Sequence, residues 1–183
     1  MLVLVVGPSG AGKDTLLDAA RTRLAGDKRV HFARRAITRP ASAGGEAHEA
    51  LTQAEFAKRQ ASGDFALSWH AHGLSYGIPA GIADDLARHH LVVANASRAV
   101  IAQAAERFPT RVIEITAPAE ILAARLGQRG REEAADIATR LARAVALPPG
   151  VRIDPVLNDG TKEEGIARFL AALSRATESA RQS

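Results

Sequence analysis

The chain has 183 residues, enough for one α/β domain with a sizeable core. It has no cysteine and no apolar stretch near the roughly 20 residues that span a bilayer, so disulfides, thiolate catalysis, Cys-based zinc sites and a membrane span are excluded. The net charge is +4 and 20 of the 24 basic residues are Arg, but only seven residues are Phe, Trp or Tyr; small polyanions fit this balance better than nucleic acid, and a cytoplasmic protein is expected.

The elements alternate between strand and helix, which favours a parallel sheet with helices on its faces. Leu2 to Val6 reads as a buried strand. A glycine-rich turn follows, and a helix is predicted from Lys13 to about Leu24. Residues 29–38, "RVHFARRAIT", read as one second strand, and "ASAGGEAH" as loop. Thr52 and Glu55 have capping-box spacing for a short helix ending near Ser62. "FALSWHAHGLSYG" reads as a hairpin turned at His72-Gly73. Pro79 suits the first turn of a helix ending near His90.

Residues 91–95, "LVVAN", form another buried strand, with a helix from Ser97 to Arg107 behind it. "RVIEIT", 111–116, is a strand, and Pro118 opens a helix ending near Arg129. "GREEAADIATRLARAVAL" is a charged, Ala-rich helix stopped by Pro148-Pro149. "VRIDPVL" is the last strand, "TKEEGIARFLAAL" the last helix, and "ATESARQS" reads as a frayed end. No repeat or linker interrupts the series, so residues 1–183 are assigned to a single domain.

Chemistry concentrates in Gly7-Pro8-Ser9-Gly10-Ala11-Gly12-Lys13. This is G-x-x-x-x-G-K between a strand and a helix, the context in which backbone N–H groups cradle an anion and the lysine reaches the β- and γ-phosphates. The next residue is Asp14, where Ser or Thr usually supplies a hydroxyl to Mg²⁺. Asp14 either completes the acidic first turn of the helix or contributes to the Mg²⁺ site. Thr15 is the adjacent hydroxyl, suited to the α-phosphate.

"GPSGAGK", "ITRP" at 37–40, "SWHAHGLSYGIP", "RLGQRGREE" and "LNDG" at 157–160 follow the layout of guanylate kinase-like proteins over nearly the whole chain. Within that group "GPSGAGKDTLL", "ITRPASAGGEAH", "ALSWHAHGLSYGI" and "NASRA" most resemble the ribose 1,5-bisphosphate phosphokinases. The resemblance implies a P-loop NTPase fold of the nucleoside monophosphate kinase type. Its expected parts are a parallel central sheet flanked by helices, an acceptor-binding excursion over about 35–80 and a lid over about 125–140. It also implies ATP and Mg²⁺, and an acceptor that is a phosphorylated sugar.

Site residues follow from the same resemblance. Arg39 and Tyr76 match acceptor-phosphate groups, His48 stands where the family has another phosphate-contacting Tyr, and Arg35 replaces a small hydroxyl residue and is suited to a second phosphate. Ser68 and Asn95 fall where guanylate kinases carry acids that bind guanine, and Ile78 replaces a Ser. Arg125, Arg129, Arg131 and Arg140 are the candidates for neutralising charge on the transferred group, with Gly127 and Gly130 allowing a lid to bend. Asn158 and Asp159 resemble the adenine-side loop, a plain Asn-Asp-Gly turn being the alternative. Two other functions compete: a guanylate kinase or another nucleoside monophosphate kinase with altered contacts, and a non-catalytic guanylate kinase-like binding module. His70 and His72 alternate on the expected strand but fall short of the three or four ligands of a zinc site.

Overall fold

Continuous apolar runs such as Leu2–Val6 have no solvent face, and they form strands buried on both sides of a sheet. The computed structural model describes residues 1–43, 46–127, 148 and 150–180. Five strands, β1 (Leu2–Val6), β2 (Val30–Phe32), β7 (Leu91–Asn95), β8 (Thr110–Thr116) and β9 (Arg152–Leu157), form a wholly parallel sheet in the order β2-β7-β1-β8-β9. β1 is central, with β7 on one side and β8 on the other. Such a point of reversed strand order opens a crevice at the carboxyl ends of the strands.

Alternate residues of β1 supply the two cores. Leu2, Leu4 and Val6 pack with Val92, Ala94 and Val112 against Leu67, Trp69, Ile78, Ile82 and Ile101. Val3 and Val5 face Leu16, Leu17 and Ala20 of α1 (Lys13–Arg23) and Phe169, Ala172 and Leu173 of α6 (Lys162–Ala180).

The second sheet has the order β4-β3-β6-β5, from β3 (Ala36–Ile37), β4 (Glu49–Ala50), β5 (Phe65–Ala71) and β6 (Leu74–Pro79). Its hairpin turns at His72 (φ 52°) and Gly73 (φ 71°), the left-handed pair of a two-residue turn. α2 (Gln53–Ala61) covers one face through Phe56, which stacks on Phe65 at 4.7 Å, and the Thr52–Glu55 capping box is formed. The small sheet presents its other face to the main sheet through Leu67, Trp69 and Ile78.

Several sequence expectations need correcting. Residues 29–38 are not one strand: β2 belongs to the large sheet and β3 to the small one, and Ala33 to Arg35 carry the chain across. Pro79 ends β6 rather than opening a helix; α3 (Ile82–Ala87) starts after Gly81 and is shorter than expected. Ser97 caps a 3₁₀ turn that leads into α4 (Ile101–Arg107). The tail is helical to Ala180, because α6 packs along the core through Ala176 and opens with a second reciprocal cap between Thr161 and Glu164. α5 (Ala119–Gly127) agrees with its prediction as far as it is described. Arg129, Arg131, Arg140, Gly130 and the charged Ala-rich helix lie outside the described residues.

Candidate active site

The loop after β1 is held in place by its neighbours. Gly7 lies so close to the Ile115 carbonyl that a Cβ there would overlap it. Gly12 has φ 89°, and a Cβ would sit 2.5 Å from Asn158 Nδ2. That amide donates to the Ala11 carbonyl at 2.7 Å, and Arg125 donates to the Asn158 carbonyl at 3.0 Å. Asn158 is therefore a buried strut under the loop. Asp159 turns away and pairs with Arg168 at 2.7 Å.

Lys13 Nζ donates to the carbonyls of Gly7 and Pro8 at 2.7 and 3.0 Å. Burial lowers its pKa to about 8; Arg35 and Arg98 push the same way, while Asp14 and Glu46 oppose them.

Two clefts meet at Gly10 and Gly12. One, about 450 Å³, is lined by Thr15, Leu16, Arg125, Asn158, Gly160 and Lys162. The other, about 260 Å³, lies towards the small sheet and is lined by Gly7, Ser9, Lys13, Asp14, Arg35, Trp69, Tyr76 and Asn95. A single loop thus serves two compartments, one on each side of the anion cradle.

The small sheet builds the second cleft. Trp69 and Tyr76 stack at 5.3 Å with an interplanar angle of 5°, and the Arg35 guanidinium lies 5.7 Å and 5.2 Å from their rings. Arg35 Nε bonds Glu46 at 2.6 Å. The other Glu46 oxygen accepts from Asn95 Nδ2, which also donates to Asp14 Oδ1 at 3.1 Å. Burial pushes the Tyr76 phenol up, against Arg35 and Arg39.

Ser68, His48 and the His70–His72 pair are placed differently from expectation. Ser68 is on the opposite face of β5 from Trp69 and accepts from Gln60 of α2 at 3.1 Å, so it does not line the cleft. His48 is buried; its ring nitrogens meet the carbonyls of Glu46 at 2.9 Å and Arg39 at 3.0 Å and so tie these two residues together. Arg39 lies beside it, with a buried Nε that has no partner among the described residues. His70 and His72 do not share a face: His70 bonds Ser75 at 2.9 Å beside α2, while His72 is in the turn and lines the cleft. Glu49 pairs with Arg59, and only the backbone of Glu46 serves His48.

Sequence reasoning passed over Arg98 and Glu114, which form an ion pair near the loop. Glu114 is level with Val6, at the loop end of β1. A charge inside the apolar run of "RVIEIT" was the available signal.

Fold and loop define the class, a P-loop domain with the nucleoside monophosphate kinase type of fold. Residues 2–146 match the model of the AAA domain family. The chain is 53% identical to ribose 1,5-bisphosphate phosphokinase PhnN of Acidiphilium cryptum, over 95% of this chain and 92% of that protein. It is also 53% identical to the bifunctional ribose 1,5-bisphosphokinase-thymidine phosphorylase of Azorhizobium caulinodans, over 94% of this chain but only 25% of that one, so it spans about a quarter of the bifunctional relative. Among solved structures, guanylate kinase from Anaplasma phagocytophilum shares the fold with a TM-score of 0.64 at 15% identity, covering 97% of this chain and 86% of that one. The chain belongs to the ribose 1,5-bisphosphate phosphokinase family.

Proposed function

We propose that the chain transfers the γ-phosphoryl group of ATP to the C1 phosphate of ribose 1,5-bisphosphate, giving 5-phosphoribosyl 1-diphosphate and ADP. The observation that carries this reading is the second cleft: an Arg35 platform on stacked Trp69 and Tyr76, opening onto the same loop as the donor cleft. Its cations suit phosphates. Ser68, where guanylate kinases have a guanine-binding acid, faces α2 instead. The names of the close relatives support the same acceptor.

The reaction asks little of a base, because the attacking atom is an oxygen of an already anionic phosphate. A new P–O bond forms as the bond between the γ-phosphorus and the β,γ-bridging oxygen breaks, and the electron pair leaves with ADP. The protein's work is alignment of two anions and neutralisation of their repulsion. At ~4 Å, two unit charges repel by about 4 kcal/mol at an effective dielectric near 20. Lys13 neutralises the donor phosphates, Arg35 and Arg39 hold the acceptor phosphates, and Tyr76 keeps Arg35 in place. Arg125 closes the donor side through Asn158, with Arg129, Arg131 and Arg140 the further cations of a lid. Asp14, at the cleft wall beside the loop, fits a hard divalent cation, and Mg²⁺ when bound neutralises the β- and γ-phosphates. No helix among the described residues is long and apolar enough to cross a membrane, and a cytoplasmic setting, where ATP is abundant, fits the chemistry.

An ATP-dependent assay with ribose 1,5-bisphosphate, followed by phosphorus NMR, tests the reading: a new diphosphate signal is expected. GMP turned over far faster than the sugar bisphosphate would instead assign the chain to the nucleotide kinases. Failure to bind ATP in calorimetry would make it a silent binding module.

A further inference from the structure

We propose that Asp14 and Asn95 are the paired seat of the divalent cation, with the carboxylate and the neutral side chain exchanged between loop and strand. The proposal rests on the reading of the chain as an ATP-dependent kinase. In P-loop NTPases the cation is commonly held by a Ser or Thr after the loop lysine and by an Asp on a neighbouring strand. There the hydroxyl can donate and the carboxylate accept.

Here both positions are filled by the opposite partner. The residue after Lys13 is Asp14, and β7, the parallel neighbour of β1, ends in Asn95, level with Val5. The contact between them survives with its polarity reversed: Asn95 Nδ2 donates to Asp14 Oδ1 at 3.1 Å. Either arrangement has one negative charge and one donor.

Two features suit the pair to a cation. First, both amide hydrogens of Asn95 are committed, one to Asp14 and one to Glu46. Turning the amide over would press its oxygen against two carboxylates, so Oδ1 is held away from them. Second, neither Asn95 Oδ1 nor Asp14 Oδ2 has a partner among the described residues, and both side chains line the cleft beside Gly7, Gly10 and Gly12. A carboxylate and an amide carbonyl are oxygen donors of the kind hard cations take. Glu46 is the positioning residue: it fixes the amide and is itself fixed by Arg35 at 2.6 Å.

The test follows Mn²⁺ binding by electron paramagnetic resonance, using the full chain with a non-hydrolysable ATP analogue. Asp14→Asn keeps the shape and removes the charge, and should weaken Mn²⁺ by roughly tenfold or more. Asp14→Ser should do the same. The triple variant D14S/N95D/E46Q moves the charge to the strand and gives it a donor at position 46. It should recover Mn²⁺ affinity to within about threefold of the native chain, the analogue's own metal sites being common to all samples.

Native Mn²⁺ affinity in Asp14→Asn overturns the proposal. So does a folded triple variant that binds Mn²⁺ no better than Asp14→Ser; if the triple variant does not fold, Asp14→Asn decides. Sugar bisphosphate turnover is measured separately. Intact turnover by the native chain with unchanged Mn²⁺ binding in Asp14→Asn sinks only the seat. Loss of Mn²⁺ in that variant, with no native turnover of ribose 1,5-bisphosphate, sinks only the acceptor assignment.

Discussion

The side-chain amide of Asn158 props up the carbonyl of Ala11 at 2.7 Å and so ties the turn after β9 to the phosphate loop. Asn158→Ala leaves a buried carbonyl without its donor, which costs about 1–3 kcal/mol. Urea denaturation should read that loss, and ATP affinity should fall with it because the loop loses its support. Gly12→Ala attacks the same contact from the other side, at a residue with φ 89°. It should abolish ATP binding in calorimetry. Undiminished ATP affinity in both variants would refute the strut.

Lys13 should make ATP binding pH-dependent. Its pKa in the free protein is about 8, so its charge fades as pH rises through that value. A bound polyphosphate favours the charged form. Binding above pH 8 should therefore take up a proton, and affinity should decline between pH 8 and 10. Titrations in buffers of different ionisation enthalpy measure the uptake. Lys13→Met should remove it; uptake that persists in the variant would assign the proton to another group.

Arg111 and Asp154 are paired in the core, far from the loop ends of β8 and β9. The hydrogen bonds from Arg111 hold the Asp154 carboxyl below its usual range. A depressed carboxylate stabilises the fold above its unfolded pKa, and that stability is lost as pH falls through the folded pKa. Asp154→Asn removes the charge that faces the buried Arg111 guanidinium and should cost on the order of 3 kcal/mol at neutral pH. The difference from the native chain should shrink below about pH 4, where the unfolded carboxyl is protonated. Chemical denaturation across pH 3 to 7 checks both statements.

The two faces of β5 and β6 separate the side chains that line the second cleft from those that meet α2. Arg35→Ala should raise the acceptor KM about 10–100-fold, the worth of one or two charged hydrogen bonds, and the ATP KM by a smaller factor. Ser68→Ala should change neither, because its hydroxyl faces Gln60. Steady-state kinetics with both variants decides. A large acceptor defect in Ser68→Ala would put the substrate on the wrong side of the sheet.

What could be read from the sequence was mostly local. β1, the loop and α1 form one uninterrupted stretch in which Gly12 and Lys13 stand at fixed offsets, so the pattern carries its own geometry. The Thr52–Glu55 cap and the His72-Gly73 turn are equally short-ranged. Residues 29–38 misled because two short strands of similar composition lie end to end yet belong to different sheets. Ser68 was misplaced because resemblance aligns positions but does not say which face of a strand they occupy. The contacts of Asn95 with Asp14 and with Glu46 span 81 and 49 residues. The sheet order, with β7 beside β1, brings Asn95 to Asp14, and the segment entering β4 of the small sheet brings in Glu46.

That junction has a mechanical consequence. From the stacked rings of the small sheet, Arg35, Glu46, Asn95 and Asp14 run as a relay of touching side chains along the second cleft to the residue beside the loop lysine. An incoming sugar phosphate that draws Arg35 off Glu46 would loosen the grip on Asn95 and so be felt at Asp14, next to the loop lysine. ATP affinity should then differ with and without sugar bisphosphate, and Glu46→Ala should erase the difference. The two halves of the active site would be communicating by touch, with no hinge required to carry the message.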